Sequence, residues 1–180
     1  MKKNVLVFGS ITGLILTGLM LYSINQCYNN PDFESNDVIG YAVMIAAFSF
    51  IFVGIKNYRD KYNNGVITFG KAFKTGLFIS LLASSIYVGV WLVDYYVFIP
   101  DFMDQYTLHV LKECARDGAT QAEINEKAAE MASFSEMYKN PAFVVVQSYA
   151  EVFPIGLIIS LISALILKRK SQDPVVVNKA

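Results

Sequence analysis

Four long stretches of this chain carry almost no charge, and they limit its fold more than any other feature. They run from Val5 to Ile24, from Val38 to Ile55, from Thr75 to Ile99 and from Ala142 to Leu167. A hydrocarbon core is crossed by ~20 apolar residues in helical form. Within lipid, backbone N–H and C=O groups must be satisfied inside the segment, so each stretch is predicted to be a helix. None alternates in the manner of barrel strands. The bulk composition agrees, with 54% hydrophobic and only 17% charged residues, against ~25% charged in a soluble domain. The predicted fold is therefore all-α: one membrane domain over residues 1–170, built as a four-helix bundle, with a short tail at 171–180.

The first stretch reads as an uncleaved span. Lys2 and Lys3 resemble the start of a signal peptide, but the apolar run exceeds a 7–15-residue signal core and no small-residue cleavage site follows. The residues before Cys27 are bulky and polar, which does not suit a lipidation signal.

Fifteen basic and fifteen acidic residues cancel overall, which excludes a nucleic-acid binder by bulk charge. The cancellation hides a segregation. The N-terminus, the link between spans two and three, and the tail together hold eleven bases and two acids. The other two links hold eleven acids and four bases, and Asp94 and Glu151 lie within the apolar runs. Lys and Arg resist translocation, so both termini are expected in the cytoplasm and the long link between spans three and four outside it. Tyr22, Tyr28, Tyr41, Trp91, Tyr95, Tyr96 and Tyr149 then fall near the outer span ends, where such rings serve as interfacial anchors.

Small residues four apart give each span a face for close packing: Gly9, Gly13 and Thr17; Ala42 and Ala46 with Gly54; Gly76, Ser80 and Ser84; Gly156, Ser160 and Ala164. These faces suit an internal bundle, or pairing with a protein partner or a second copy. Residues 101–140 read as an extracytoplasmic helical hairpin. Phe102, Met103, Tyr106, Val110, Leu111 and Cys114 form one stripe, and Asp117-Gly118 ends that helix. Thr120 and Glu123 make a capping box for the next, whose stripe is Ile124, Ala128, Met131, Ser135 and Tyr138. Such a hairpin covers the bundle mouth, lies in the headgroup plane, or docks a partner.

Asp94 and Glu151 form the candidate polar membrane site, with Gln147 one turn before Glu151. Intramembrane carboxylates raise a functional question by default, because each costs about 2.5–3.5 kcal/mol at the bilayer centre. Their depth tempers this. Asp94 lies ~30 Å beyond Lys74 and Glu151 ~25 Å before Lys168, at 1.5 Å per residue, so both belong to the outer half. Structural roles at the interface compete with a proton or cation path. Cys27 and Cys114 both fall on the outer side, where they could form a disulfide or remain two buried thiols. His109 stands alone, without a zinc ligand set. There is no serine triad, phosphate loop or dinucleotide motif. No catalytic residue, metal or cofactor is expected.

Three strings carry a family likeness: IGYAVMIAAFSFIFVGIKNYRDKYNNGVITFGKAFKTGL from Ile39 to Leu77, MYKNPAF from Met137 to Phe143, and EVFPIGLIISLISALILKRK from Glu151 to Lys170. The chain resembles the bacterial domain-of-unknown-function family numbered 4199, which consists of small four-span membrane proteins. The resemblance implies a bacterial inner-membrane protein and brings no activity or catalytic residue with it. The expected role is a non-enzymatic binding or accessory subunit. The alternative is a small transporter or channel component using the intramembrane carboxylates.

Overall fold

Helix occupies most of the chain in the computed structural model, which describes residues 1–29 and 37–169. In order, the helices are α1 (Lys2–Asn29), α2 (Asp37–Phe48), α3 (Phe50–Tyr62), α4 (Phe69–Val93), α5 (Phe102–Arg116), α6 (Gln121–Tyr138) and α7 (Pro141–Leu167), with a π-helical turn over Asp94–Phe98 closing α4. No strand occurs among the described residues. Four spans are long and apolar enough to cross a membrane: Lys2–Gln26, Val38–Tyr62, Phe69–Phe98 and Pro141–Leu167.

These spans outrun the apolar stretches, mostly at one end of the bundle. α4 starts six residues before Thr75 because Thr68 caps it, its hydroxyl accepting the Lys71 N–H at 3.4 Å. Lys71 and Lys74 mask this first turn in a hydropathy reading. Long lysine stems can nonetheless lie along apolar surface while their ammonium groups reach water. α7 begins where Asn140 accepts the Ala142 N–H at 3.0 Å and Pro141 takes the first helical position, a place where its missing N–H is harmless. Pro154 is exposed and α7 remains one helix through it.

Span two is interrupted at Ser49. Its N–H reaches Ile45 O and Ala46 O at 3.0 and 3.2 Å, its hydroxyl bonds Ala46 O at 2.6 Å, and the Phe52 N–H bonds Ser49 O at 3.0 Å. Ala42 and Ala46 lie exposed, and the buried face is Ala47, Phe48, Ile51, Gly54, Ile55 and Tyr58, continuous across Ser49. The predicted Ala42/Ala46 face is thus not the packing face; only Gly54 of that set is.

α4 is the central helix, with α1 and α7 against different faces of it. A methyl group built on Gly9 would lie 2.8–3.1 Å from the Leu82 side chain, and one on Gly13 at 3.0 Å from Ile86 and 3.2 Å from the Ala83 backbone. On the other side, one on Gly76 would lie 2.9 Å from Ser160 Cβ and Oγ, and one on Gly156 would overlap the Ser80 hydroxyl. Gly54 brings α3 onto Ile79 and Phe8, at 2.6 and 3.1 Å from such a methyl group. Van der Waals contact of this closeness is what associates helices where lipid supplies no hydrophobic drive. Three of the four predicted small-residue faces are therefore spent within the chain.

At one end of the bundle, Asn63, Asn64 and Gly65 turn the chain from α3 towards α4. Asn64 and Gly65 both have positive φ, 51° and 77°, the conformation that Asn-Gly tolerates. Ile67 then pairs with Arg169 just past α7, by backbone hydrogen bonds of 3.0 and 2.8 Å, and its side chain is buried. This end also holds the start of α1. Among the described residues it carries Lys2, Lys3, Lys56, Arg59, Lys61, Lys71, Lys74, Lys168 and Arg169 against the single acid Asp60. Lys170 and the tail at 171–180 lie outside the described residues.

Candidate functional site

The opposite, acidic end is closed by aromatic side chains. Trp91 on α4 and Tyr95 in the π-helical turn that closes it are a turn apart and each only 7% exposed. The ring of Phe102 stands edge-on to Trp91 at 4.9 Å, and Tyr138 from α6 meets Tyr95 at 5.5 Å. Phe134 and Phe143 extend the cluster, with Phe134 at 4.8 Å from Tyr138. Met103, Met131 and Val144 are buried among them, and Met20 and Ile24 of α1 pack alongside. Tilted and edge-to-face pairs of this kind add ~0.5–1.5 kcal/mol each beyond burial. Trp91 and Tyr95 are therefore core residues and not interfacial anchors. Tyr22 and Tyr41 remain exposed.

α5 and α6 lie over this end as a cap and pack on one another. Of the stripes read from the sequence, Phe102, Met103 and Val110 on α5 and Met131 and Tyr138 on α6 enter the cluster, joined by Phe134, whereas Tyr106 is exposed. The capping box forms, with the Thr120 N–H donating to Glu123 Oε2 at 2.7 Å and the Glu123 N–H to Thr120 Oγ1 at 3.4 Å. Those bonds hold the Glu123 carboxyl below its ordinary range. Tyr28 ties α1 to the cap by donating to Asp101 Oδ1 at 3.2 Å, and Tyr96 donates to the Tyr138 carbonyl at 3.1 Å.

Asp94 opens the π-helical turn, and its carbonyl accepts the Ile99 N–H at 2.9 Å. Its carboxylate is partly exposed at the rim of the cap. Glu151 is exposed on the outer face of α7, opposite the buried Ser160, as the helical phase predicts. The two carboxylates stand at different levels. The facing pairs Gly76 with Ser160 and Ser80 with Gly156 put Glu151 beside Ser85, and the Ser85 hydroxyl is 2.7 Å from that of Tyr149. Asp94 is nine residues further along α4, or ~13 Å. The near-equal depths inferred from the sequence came from taking Lys74 and Lys168 as one level. Lys168 actually faces the start of α4, about six residues before Lys74. Gln147, half-buried, lies one turn beyond Glu151 towards the cap.

Glu151 does act electrostatically on the cap. Burial pushes the Tyr138 phenol up to about 12, with the negative charge of Glu151 as the next cause and a hydrogen bond from Trp91 opposing it. The polar groups along the α4–α7 seam behave differently. Ser148 and Ser160 donate to the carbonyls one turn back, Val144 O and Gly156 O, at 2.8 and 2.7 Å. Ser80, Ser84 and Thr17 are buried with hydroxyls that meet no acceptor. Sequence reading missed both these orphan hydroxyls and the π-helical turn. Small polar residues in a span ordinarily bond back to their own helix, so composition gives no sign of the exceptions.

His109 Nε2 lies 3.2 Å from Glu113 Oε1 on α5. Among the described residues no group of three His, Cys, Asp or Glu side chains could hold a metal ion. Cys114 is half-buried with a free thiol. The side chain of Cys27 lies outside the described residues, and the disulfide suggested for it lies there too.

The family model described as "Protein of unknown function (DUF4199)" matches residues 6–169. No curated protein and no solved structure matches the chain.

Proposed function

Given that the chain belongs to the DUF4199 family, we propose that it works as a non-enzymatic binding or accessory subunit of a bacterial inner membrane. The basic end and both termini face the cytoplasm, and the cap faces outward. The charge segregation supports this threading, with nine bases and one acid at the basic end.

The observation that carries the reading is the filled interior. Between α4 and α7 the gap is closed by Gly76, Ser80, Gly156 and Ser160 at van der Waals distance, and the acidic end is stopped by the aromatic cluster under the cap. A transported ion would need an aqueous route through both. Glu151, the carboxylate best placed to serve one, is exposed on α7. One surface open to interaction is the solvent side of the cap, where Glu126, Glu130, Glu136 and Lys139 are exposed.

The test has two arms. In native membranes, a photo-crosslinker at Glu126 or Glu130 is expected to join one partner in stoichiometric amount, while the same group at Leu14, on the lipid-facing side of α1, does not. In proteoliposomes, wild type and Glu151→Gln are expected to show the same background ion flux. A flux that depends on the chain and collapses in Glu151→Gln overturns the reading in favour of a transporter. A reporter fused after residue 170 and found outside the cytoplasm overturns the threading.

A further inference from the structure

The start of α1 and the end of α3 flank a small, open groove at the basic end. Lys3, Asn4, Val7 and Phe8 line it from α1, at spacings that share one helical face. Asn57, Lys61 and Tyr62 line it from the other side, and its volume is about 100 Å³. The two helices are fixed to each other at its back. Buried Asn4 donates through Nδ2 to Gly54 O at 2.9 Å, and the missing side chain at Gly54 lets Phe8 come close.

Two observations define what such a groove would take. The first is uncompensated charge. Neither Lys3 nor Lys61 has a carboxylate partner among the described residues. Asp60, the one acid at this end, is occupied by Arg59 at 2.6 Å. Asn57 and Tyr62 add neutral donors to the same rim, so the groove offers donors to an anion. The second is level. Lys3 lies at the first turn of one span and Tyr62 at the last residue of another, which sets the groove at the headgroup layer. Below it, Val7 and Phe8 lead onto the exposed apolar surface of Leu6, Val53 and Leu14, along which an acyl chain can run.

We propose that this groove binds the phosphate of an anionic phospholipid, with Lys3 and Lys61 on the phosphate oxygens and the acyl chains along α1 and α3. The size fits a single headgroup phosphate. Pockets that enclose a drug-sized molecule are larger, ~300–1,000 Å³. Basic pockets between spans on the cytoplasmic side recognise phosphorylated headgroups in the same manner. The sequence conceals the groove because its two halves lie on different spans and each lysine alone reads as a topology signal.

The full chain is reconstituted into vesicles of equal phosphatidylglycerol and phosphatidylcholine, extracted in mild detergent, and its retained lipid measured by native mass spectrometry. One phosphatidylglycerol per chain is expected, with phosphatidylcholine washed away. The Lys3→Gln/Lys61→Gln pair is expected to weaken retention about 30-fold, the equivalent of ~1 kcal/mol for each lysine. Lys3→Arg/Lys61→Arg should keep it. Val7→Trp fills the groove without altering charge and should also abolish retention. Its folding is checked by the fluorescence of Trp91 against that of a wild-type chain carrying a lipid-facing Leu14→Trp. Equal retention of the two lipids, or retention unchanged in both the Gln pair and Val7→Trp, overturns the proposal. Inorganic phosphate is the control for source. If it binds wild type as tightly as the lipid does, the occupant is free phosphate and the lipid assignment falls.

Discussion

Replacing Gly156 by alanine should destabilise the bundle more than any other single methyl group added to it. The new Cβ would overlap the Ser80 hydroxyl and lie 2.8 Å from Phe48 Cε1 and 3.0 Å from Ser80 Cβ. Phe48 and Ser80 are fully buried, so neither has free space to enter. Overpacking of this kind costs ~1–3 kcal/mol. Against it stands the gain from alanine over glycine in a helix, ~0.5–1 kcal/mol. We therefore expect a net loss of ~1–2 kcal/mol. Gly89→Ala is the control, because no atom lies within 4 Å of its added methyl group; it should be neutral or stabilising by up to ~1 kcal/mol. Ser80→Gly in the Gly156→Ala background should restore part of the loss, since it removes the clashing side chain. The assay is equilibrium SDS unfolding in bicelles, followed by the fluorescence of Trp91, the one tryptophan of the chain. If Gly156→Ala is as stable as Gly89→Ala, the α4–α7 seam is not packed as described.

The buried hydroxyls give a second expectation. Ser80 Oγ has no acceptor, so Ser80→Ala should stabilise the bundle by about 1 kcal/mol in the same unfolding assay. The Glu123 carboxyl is held low by its capping bonds, so its contribution to α6 is present above its ordinary value and lost as pH falls below it. The protection factor of the Thr120 amide, which donates to that carboxylate, should fall on acidification once the intrinsic pH dependence of exchange is divided out, and Glu123→Gln should weaken that dependence. Tyr138, pushed up to about 12, favours the neutral phenol in the folded state. Its contribution is full below pH 10 and is lost as pH rises through about 12, and Tyr138→Phe should remove one phenol from the late part of the tyrosinate absorbance titration.

The parts of the fold legible in the sequence are those that lipid enforces. Four spans followed from uncharged length, and the two faces that meet between α4 and α7 followed from Gly76, Ser80, Gly156 and Ser160 recurring at fours, though not which spans would pair. The capping box at Thr120 and the stripe ending at Tyr138 were also plain, because both are local. The hidden parts depend on what a residue meets. Ser49 breaks span two, yet serines elsewhere in the spans, such as Ser148 and Ser160, leave their helices unbroken. Trp91 and Tyr95 occupy the places of interfacial anchors, and only the cap above them turns their rings inward. Asp94 and Glu151 were visible as exceptions, but their separation depended on the register of α4 against α7, which no single span encodes.

The pairing of Ile67 with Arg169 dictates an order of biogenesis. Ile67 is synthesised about a hundred residues before its partner, and translation proceeds at ~5–20 residues per second. For ~5–20 s the backbone groups of Ile67 must therefore be served by water or headgroups. The latch at the basic end closes only after the end of the fourth span has been made, whereas the packing of α1 on α4 needs no residue of that span.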